Sequence, residues 1–106
     1  MTPRAIDMAK LYVPAIFEHI SSSFHQDVLE VYPSLEEALI DYLSWVSPSD
    51  LRVLRAFLDE LLSGSYSIRD LSNIWDKAGS DWYFSDGMIR HFLDLMRVQI
   101  DVRLAT

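Results

Sequence analysis

The stretch Ser34-Leu35-Glu36-Glu37-Ala38-Leu39-Ile40-Asp41-Tyr42-Leu43-Ser44-Trp45-Val46-Ser47-Pro48-Ser49-Asp50-Leu51 decides the fold. Leu35, Leu39, Tyr42, Leu43 and Val46 recur at helical spacing, so one face of a helix is apolar. Ser34 stands three residues before Glu37, the spacing of a capping box, in which a serine hydroxyl accepts from a free backbone N–H and the acid answers the serine's own N–H. A second start follows at once. Ser47 is a capping residue, and Pro48 fits the first helical position because no intrahelical bond is lost there. Leu51, Leu54, Phe57, Leu58, Leu61 and Leu62 then form the stripe of the next helix, a core stripe, and Gly64 ends it.

Working outward, Ser67 and Asp70 repeat the capping spacing ahead of Ile68, Leu71, Ile74, Trp75 and Ala78, with Gly79 as the stop. Past the aromatic loop Asp81-Trp82-Tyr83-Phe84, Ser85 or Asp86 is positioned to cap a long last helix. Its apolar stripe is Met88, Ile89, Phe92, Leu93, Met96 and Ile100, with both methionines expected in the core. Upstream, Ile6, Ala9, Val13, Phe17, Ile20 and Phe24 keep helical spacing across Pro14, which must kink or divide the segment. The expectation is a short helix from about Pro3 to Tyr12 and a main one from about Val13 to Ser23. Asp27-Val28-Leu29-Glu30-Val31-Tyr32 reads as a short extended piece, and no strand alternation is convincing. At 106 residues, with 50% hydrophobic side chains, the chain forms a single domain over residues 1–106, an all-α bundle of about five helices.

Charge is distributed unevenly. There are 16 acidic and 9 basic residues, for a net charge of -7, yet no Lys or Arg falls between Leu11 and Leu51. That segment holds Glu18, Asp27, Glu30, Glu36, Glu37, Asp41 and Asp50, and the remaining acids and bases of the chain balance. The whole net charge therefore belongs to one contiguous stretch, and a one-signed field of this kind steers a basic partner. The same acidity repels phosphate, so nucleic acid is not expected as a direct ligand.

Several chemistries lack their residues. Without cysteine there is no disulfide, zinc-thiolate site or thiol nucleophile. No phosphate-cradling glycine loop, nucleophile elbow or His-Glu-x-x-His run occurs. His25, Asp27 and Glu18 are the one His/Asp/Glu grouping that suggests a metal-dependent enzyme, but His19 to His25 and His25 to Asp27 miss the helical ligand spacing. The expectation is therefore no enzyme, no cofactor and no metal. No stretch approaches the roughly 18 apolar residues of a membrane span, and no signal peptide is recognisable, so neither a membrane partner nor export is expected and residence is expected to be cytoplasmic. Trp82 and Tyr83 carry the side chains that most often anchor interfaces, and one of the two is expected outside the core.

The residues Phe24-His25-Gln26-Asp27, then Tyr32, Ser34, Glu36-Glu37-Ala38-Leu39 and Asp41, followed by Ser47-Pro48 and Asp50-Leu51, resemble a family of contact-dependent growth inhibition immunity proteins. The resemblance extends from about Ile16 to Val98. It implies a bacterial cytosolic protein that binds and neutralises the C-terminal toxin domain of a neighbouring cell's surface effector, in many cases a nuclease. A basic, phosphate-binding active site is what a carboxylate surface complements. On this reading the toxin-facing residues are Glu18, Asp27, Glu30, Glu36, Glu37 and Asp41, with Trp82 and Tyr83 as anchors. An acidic helical adaptor for another basic protein shares the same charge pattern.

Overall fold

The computed structural model describes residues 11–85 and 87–105. Six helices follow in order, α1 (Ala15–Ser22), α2 (Val28–Val31), α3 (Leu35–Ser44), α4 (Pro48–Leu61), α5 (Ile68–Lys77) and α6 (Met88–Leu104), and the described residues include no strand. The all-α expectation holds, with a single-turn helix added to five longer ones. The helix expected from about Pro3 to Tyr12 lies outside the described residues, apart from Leu11 and Tyr12, which are not helical.

Three starts follow the local chemistry of the sequence. Ser34, Ser47 and Ser67 each accept a hydrogen bond from the backbone N–H three residues on, at 3.1, 3.2 and 3.0 Å. Only Ser67 completes the reciprocal box, because the Asp70 carboxylate accepts from its N–H at 3.0 Å. Pro14 divides the N-terminal segment as the N-cap of α1, its carbonyl accepting from Phe17 and Glu18.

Elsewhere the structure corrects the sequence reading. Asp27–Tyr32 is not extended: Val28–Val31 turn into α2, with the Val28 N–H bonded to the His25 carbonyl and Val28 itself buried. Two β-branched valines favour an extended chain, but burial of Val28 in the common core overrides that preference. Ser85 does not cap α6 with its side chain. The N-cap is Gly87 at φ +78°, and Ser85 contributes its carbonyl to the Met88 N–H; Asp86 lies outside the described residues. Met88 is half-exposed rather than core, as is Ile68; each is the first residue of its helix and precedes the turn that packs.

The core is a ring network. Phe24 meets Tyr42, Phe92 and Trp75 at centroid distances of 5.1, 5.2 and 5.7 Å, and Trp75 in turn meets Phe17, Phe84 and Phe92. Phe17 extends the network to Phe57 at 4.9 Å, so α1, α3, α4, α5 and α6 all contribute a ring. Of the expected α4 stripe, Leu51, Leu54, Phe57, Leu58 and Leu61 are buried, and Leu62, the C-cap of the helix, is half-buried. Helix α6 lies against α3, α4 and α5. It runs antiparallel to α4, since Arg55 pairs with Asp101 and Asp59 with Arg97, so a four-residue advance on one helix matches a four-residue retreat on the other.

Phe24 also holds the chain outside the helices. Its carbonyl accepts from the Asp81 N–H at 3.1 Å and from the buried Ser80 hydroxyl at 3.2 Å. The Trp75 indole N–H donates to the Trp82 carbonyl at 2.9 Å, fixing the next turn of the same loop. Replacing Phe24 with Ala is expected to cost about 3–5 kcal/mol in urea unfolding, the range for removing a buried ring. His25→Ala, one residue on at an exposed position, is expected to stay within about 0.5 kcal/mol of the wild type.

Candidate interaction surface

All seven carboxylates of the segment without basic residues are solvent-exposed, and among the described residues none of them forms an ion pair. Five belong to the contacting pair α2 and α3 or its approach: Asp27 is the N-cap of α2, Glu30 lies within it, and Glu36, Glu37 and Asp41 lie on α3. On α3 the geometry follows from the period of the helix. Ala38, Leu39 and Leu43 point into the core, leaving Glu36, Glu37, Ile40, Asp41 and Ser44 on the outer side, with Glu37 and Asp41 one turn apart. Glu37 serves the cap through its backbone N–H, so its carboxylate stays free of that duty.

Asp41 is committed locally. Its Oδ2 accepts from the Tyr32 hydroxyl at 2.5 Å, and the Tyr32 ring stands edge-on to Tyr42 at 5.4 Å. The hydrogen bond to this carboxylate, assisted by burial and by the negative charge of Asp41, pushes the Tyr32 phenol from 10.0 up to about 12. Tyr42 is raised as well, by burial first and then by Asp41.

Glu18 stands apart from this group. It borders a small groove with Leu11, Val13, Ile74, Lys77 and Ala78, where α1 meets the end of α5, so a lysine shares its surroundings. His25 and Asp27 border a different groove, with Val28, Val31, Tyr32 and Tyr42. The structure therefore does not gather His25, Asp27 and Glu18, and among the described residues no three His, Asp or Glu side chains are arranged to hold a metal ion. Among the same residues no helix is long and apolar enough to cross a membrane.

In the aromatic loop, Tyr83 is exposed to 81% while Trp82 is half-buried. Trp82 has its N–H on the Ser80 hydroxyl and its carbonyl on the Trp75 indole, so it is held by the fold and Tyr83 is the outward member of the pair.

One residue that sequence reasoning missed is more exposed than either. Trp45 is 85% accessible at the C-cap of α3. It borders an open groove of about 430 Å³ with Ala15, Ile16, His19, Tyr42, Val46, Ser47 and Asp50. The available signal was its position: Trp45 is absent from the Leu35, Leu39, Tyr42, Leu43, Val46 stripe and stands two residues before the Ser47-Pro48 start.

Comparison with known family models, curated proteins and solved structures gave no match. The surface is thus described by its own chemistry: carboxylates that form no ion pair among the described residues on one pair of helices, beside a groove bearing an exposed indole.

The Tyr32–Asp41 bond has a pH signature. A phenol raised on folding stabilises the native state below its ordinary value of 10, and that contribution is lost as the pH rises through about 12. An alkaline titration followed by phenolate absorbance is expected to show a late component near pH 12 that falls toward 10 in Asp41→Asn. An unchanged profile in that variant would show that the bond is absent in solution.

Proposed function

We propose that this chain is an immunity protein of contact-dependent growth inhibition, which binds the basic toxin domain of a delivered effector, in the first place a nuclease, and covers its active site with carboxylates. The observation that carries the reading is the state of the seven acids between Leu11 and Leu51, all exposed and none ion-paired among the described residues. The resemblance of Phe24-His25-Gln26-Asp27 and the Glu36-Glu37-Ala38-Leu39 helix to that family supplies the class of partner.

Four arginines of the scaffold are employed inside it. Arg55 pairs with Asp101 at 2.9 Å and Arg97 with Asp59. Arg90 donates to the Tyr66 carbonyl at 2.7 Å, and Arg103 donates to Ser44 at the end of α3, where unpaired carbonyls favour a cation. These four arginines thus brace α6 against its neighbours, while among the described residues the glutamates of α2 and α3 form no ion pair and keep their charge for an incoming surface. A nuclease site is built to attract phosphate oxygens, and carboxylate oxygens offer its arginines a comparable acceptor geometry. Attraction between such surfaces acts mainly on the encounter rate.

Glu36 and Glu37 test this better than Asp41, which also serves Tyr32. Reversing both to Lys is expected to slow association with the cognate toxin domain by roughly tenfold at low salt, and to flatten the salt dependence. Each reversal places a cation in the first turn of α3 at a cost of about 0.3–1 kcal/mol, so helicity and melting are followed in parallel. Unchanged association in a folded double variant would remove this face from the interface. Failure of the wild-type chain to bind that toxin domain, or to protect cells expressing it, would overturn the proposed function.

A further inference from the structure

We infer that the groove between α1 and the α3–α4 corner is an arginine-accepting anchor site, in which a guanidinium from the basic partner lies on the Trp45 indole and pairs with Asp50. The inference rests on the reading of this chain as a binder of a basic protein, and it locates where that protein is held once it has arrived.

Three observations converge on this groove. The first is the indole. Trp45 is 85% exposed at the end of a helix, although a side chain of this size ordinarily buries most of its surface in a fold or an interface. The remaining apolar lining, Ala15, Ile16, Tyr42 and Val46, gives it a surround that excludes water when a partner covers it. The second is charge. Asp50 is the carboxylate of the lining, which also includes His19 but no Lys or Arg, and every residue of it comes from the segment that bears the whole net charge. The Asp50 backbone N–H is used by Ser47, but its carboxylate makes no ion pair among the described residues. The third is the end of α3 itself. The Ser44 carbonyl there already accepts from the Arg103 guanidinium at 3.3 Å on the α6 side, so this corner receives a guanidinium within the fold itself.

Arginine suits this combination better than lysine. Its planar guanidinium stacks on an aromatic face while its edge pairs with a carboxylate, whereas an ammonium is a compact, strongly hydrated point charge. The groove and the α2–α3 carboxylates therefore have separable kinetic roles. Diffuse charge sets how fast the partner arrives, and a desolvated aromatic contact sets how long it stays.

The test uses the full chain with hexa-arginine and hexa-lysine peptides as probes, and separately with the toxin domain. Wild-type protein is expected to bind hexa-arginine several-fold more tightly than hexa-lysine. Trp45→Ala and Asp50→Asn are each expected to weaken hexa-arginine binding by about tenfold and to abolish the preference, while the Glu36→Lys, Glu37→Lys double variant weakens both peptides alike. Because Trp45 is exposed, Trp45→Ala is expected to keep the wild-type melting temperature, and Trp45→Phe is expected to retain part of the arginine preference. With the toxin domain, Trp45→Ala is expected to speed dissociation by about thirtyfold and to leave association nearly unchanged. Equal binding of the two peptides by the wild type, or wild-type hexa-arginine affinity in folded Trp45→Ala, would overturn the anchor site. A toxin domain that binds and dissociates identically from Trp45→Ala would overturn it while leaving the proposed function standing. Arginine preference without toxin binding would have the opposite meaning, sustaining the site and removing that function.

Discussion

The contact of Phe24 with Trp75 is the constraint on which the rest of the structure depends. A buried ring immediately after α1 meets a buried indole on α5 at 5.7 Å, and both meet Phe92 on α6. Three separate stretches of chain are thereby gathered at one point. The Phe24 backbone adds a directional element that ring packing lacks. Its carbonyl receives two donors from residues 80 and 81, which sets where the aromatic loop leaves α5 and how α6 is approached. Through Tyr42 the same ring orients α3, and α2 is packed beside it. Phe24 stands in the element that first suggested a functional signature, but its own role is architectural; His25, Gln26 and Asp27, which follow it, are exposed.

A division of labour between charges follows from this frame. Arginines on α4 and α6 are spent on carboxylates and carbonyls of the scaffold, drawing together helices whose apolar faces already meet. Among the described residues the glutamates of α2 and α3 form no ion pair. Like charges one turn apart, as with Glu37 and Asp41, weaken an isolated helix by a few tenths of a kcal/mol. Helix α3 offsets this with the Ser34 cap, with three core residues on its inner side, and with acids near its positive N-terminal end. Crowded negative charge is tolerable there because the stability of the helix comes from its other face.

The sequence revealed what local chemistry determines. The starts of α3, α4 and α5 are set within four residues by a serine and its neighbours, and the inward stripes of α4 and α6 are set by the helical period, so both were legible. Where long-range packing decides, local reading failed. Val28 and Val31 have an extended preference, and only the core into which Val28 fits turns that segment into α2. The start of α6 is set by a left-handed Gly87 and a carbonyl from Ser85, which an eye trained on side-chain caps passes over. Of the candidate surface, the acids were legible as charge but their grouping was not: Glu18 belongs to the α1–α5 side and Asp41 to a bond with Tyr32. Trp45 was missed because exposure of an apolar residue is a property of what surrounds it in space, which spacing along the chain does not encode.

The separation of the outer side of α3 from its inner side has a consequence for sequence divergence. Glu36, Glu37 and Ile40 are exposed, so substitutions there cost about 0.3–1 kcal/mol at the helix start at most and leave untouched the larger stability held by Ala38, Leu39 and Leu43. Asp41 is the exception, tethered to Tyr32, and it marks where free variation along that face stops. A surface arranged in this way can be rewritten one side chain at a time while the fold beneath it stays the same, which is the condition under which a binding face can track a changing partner.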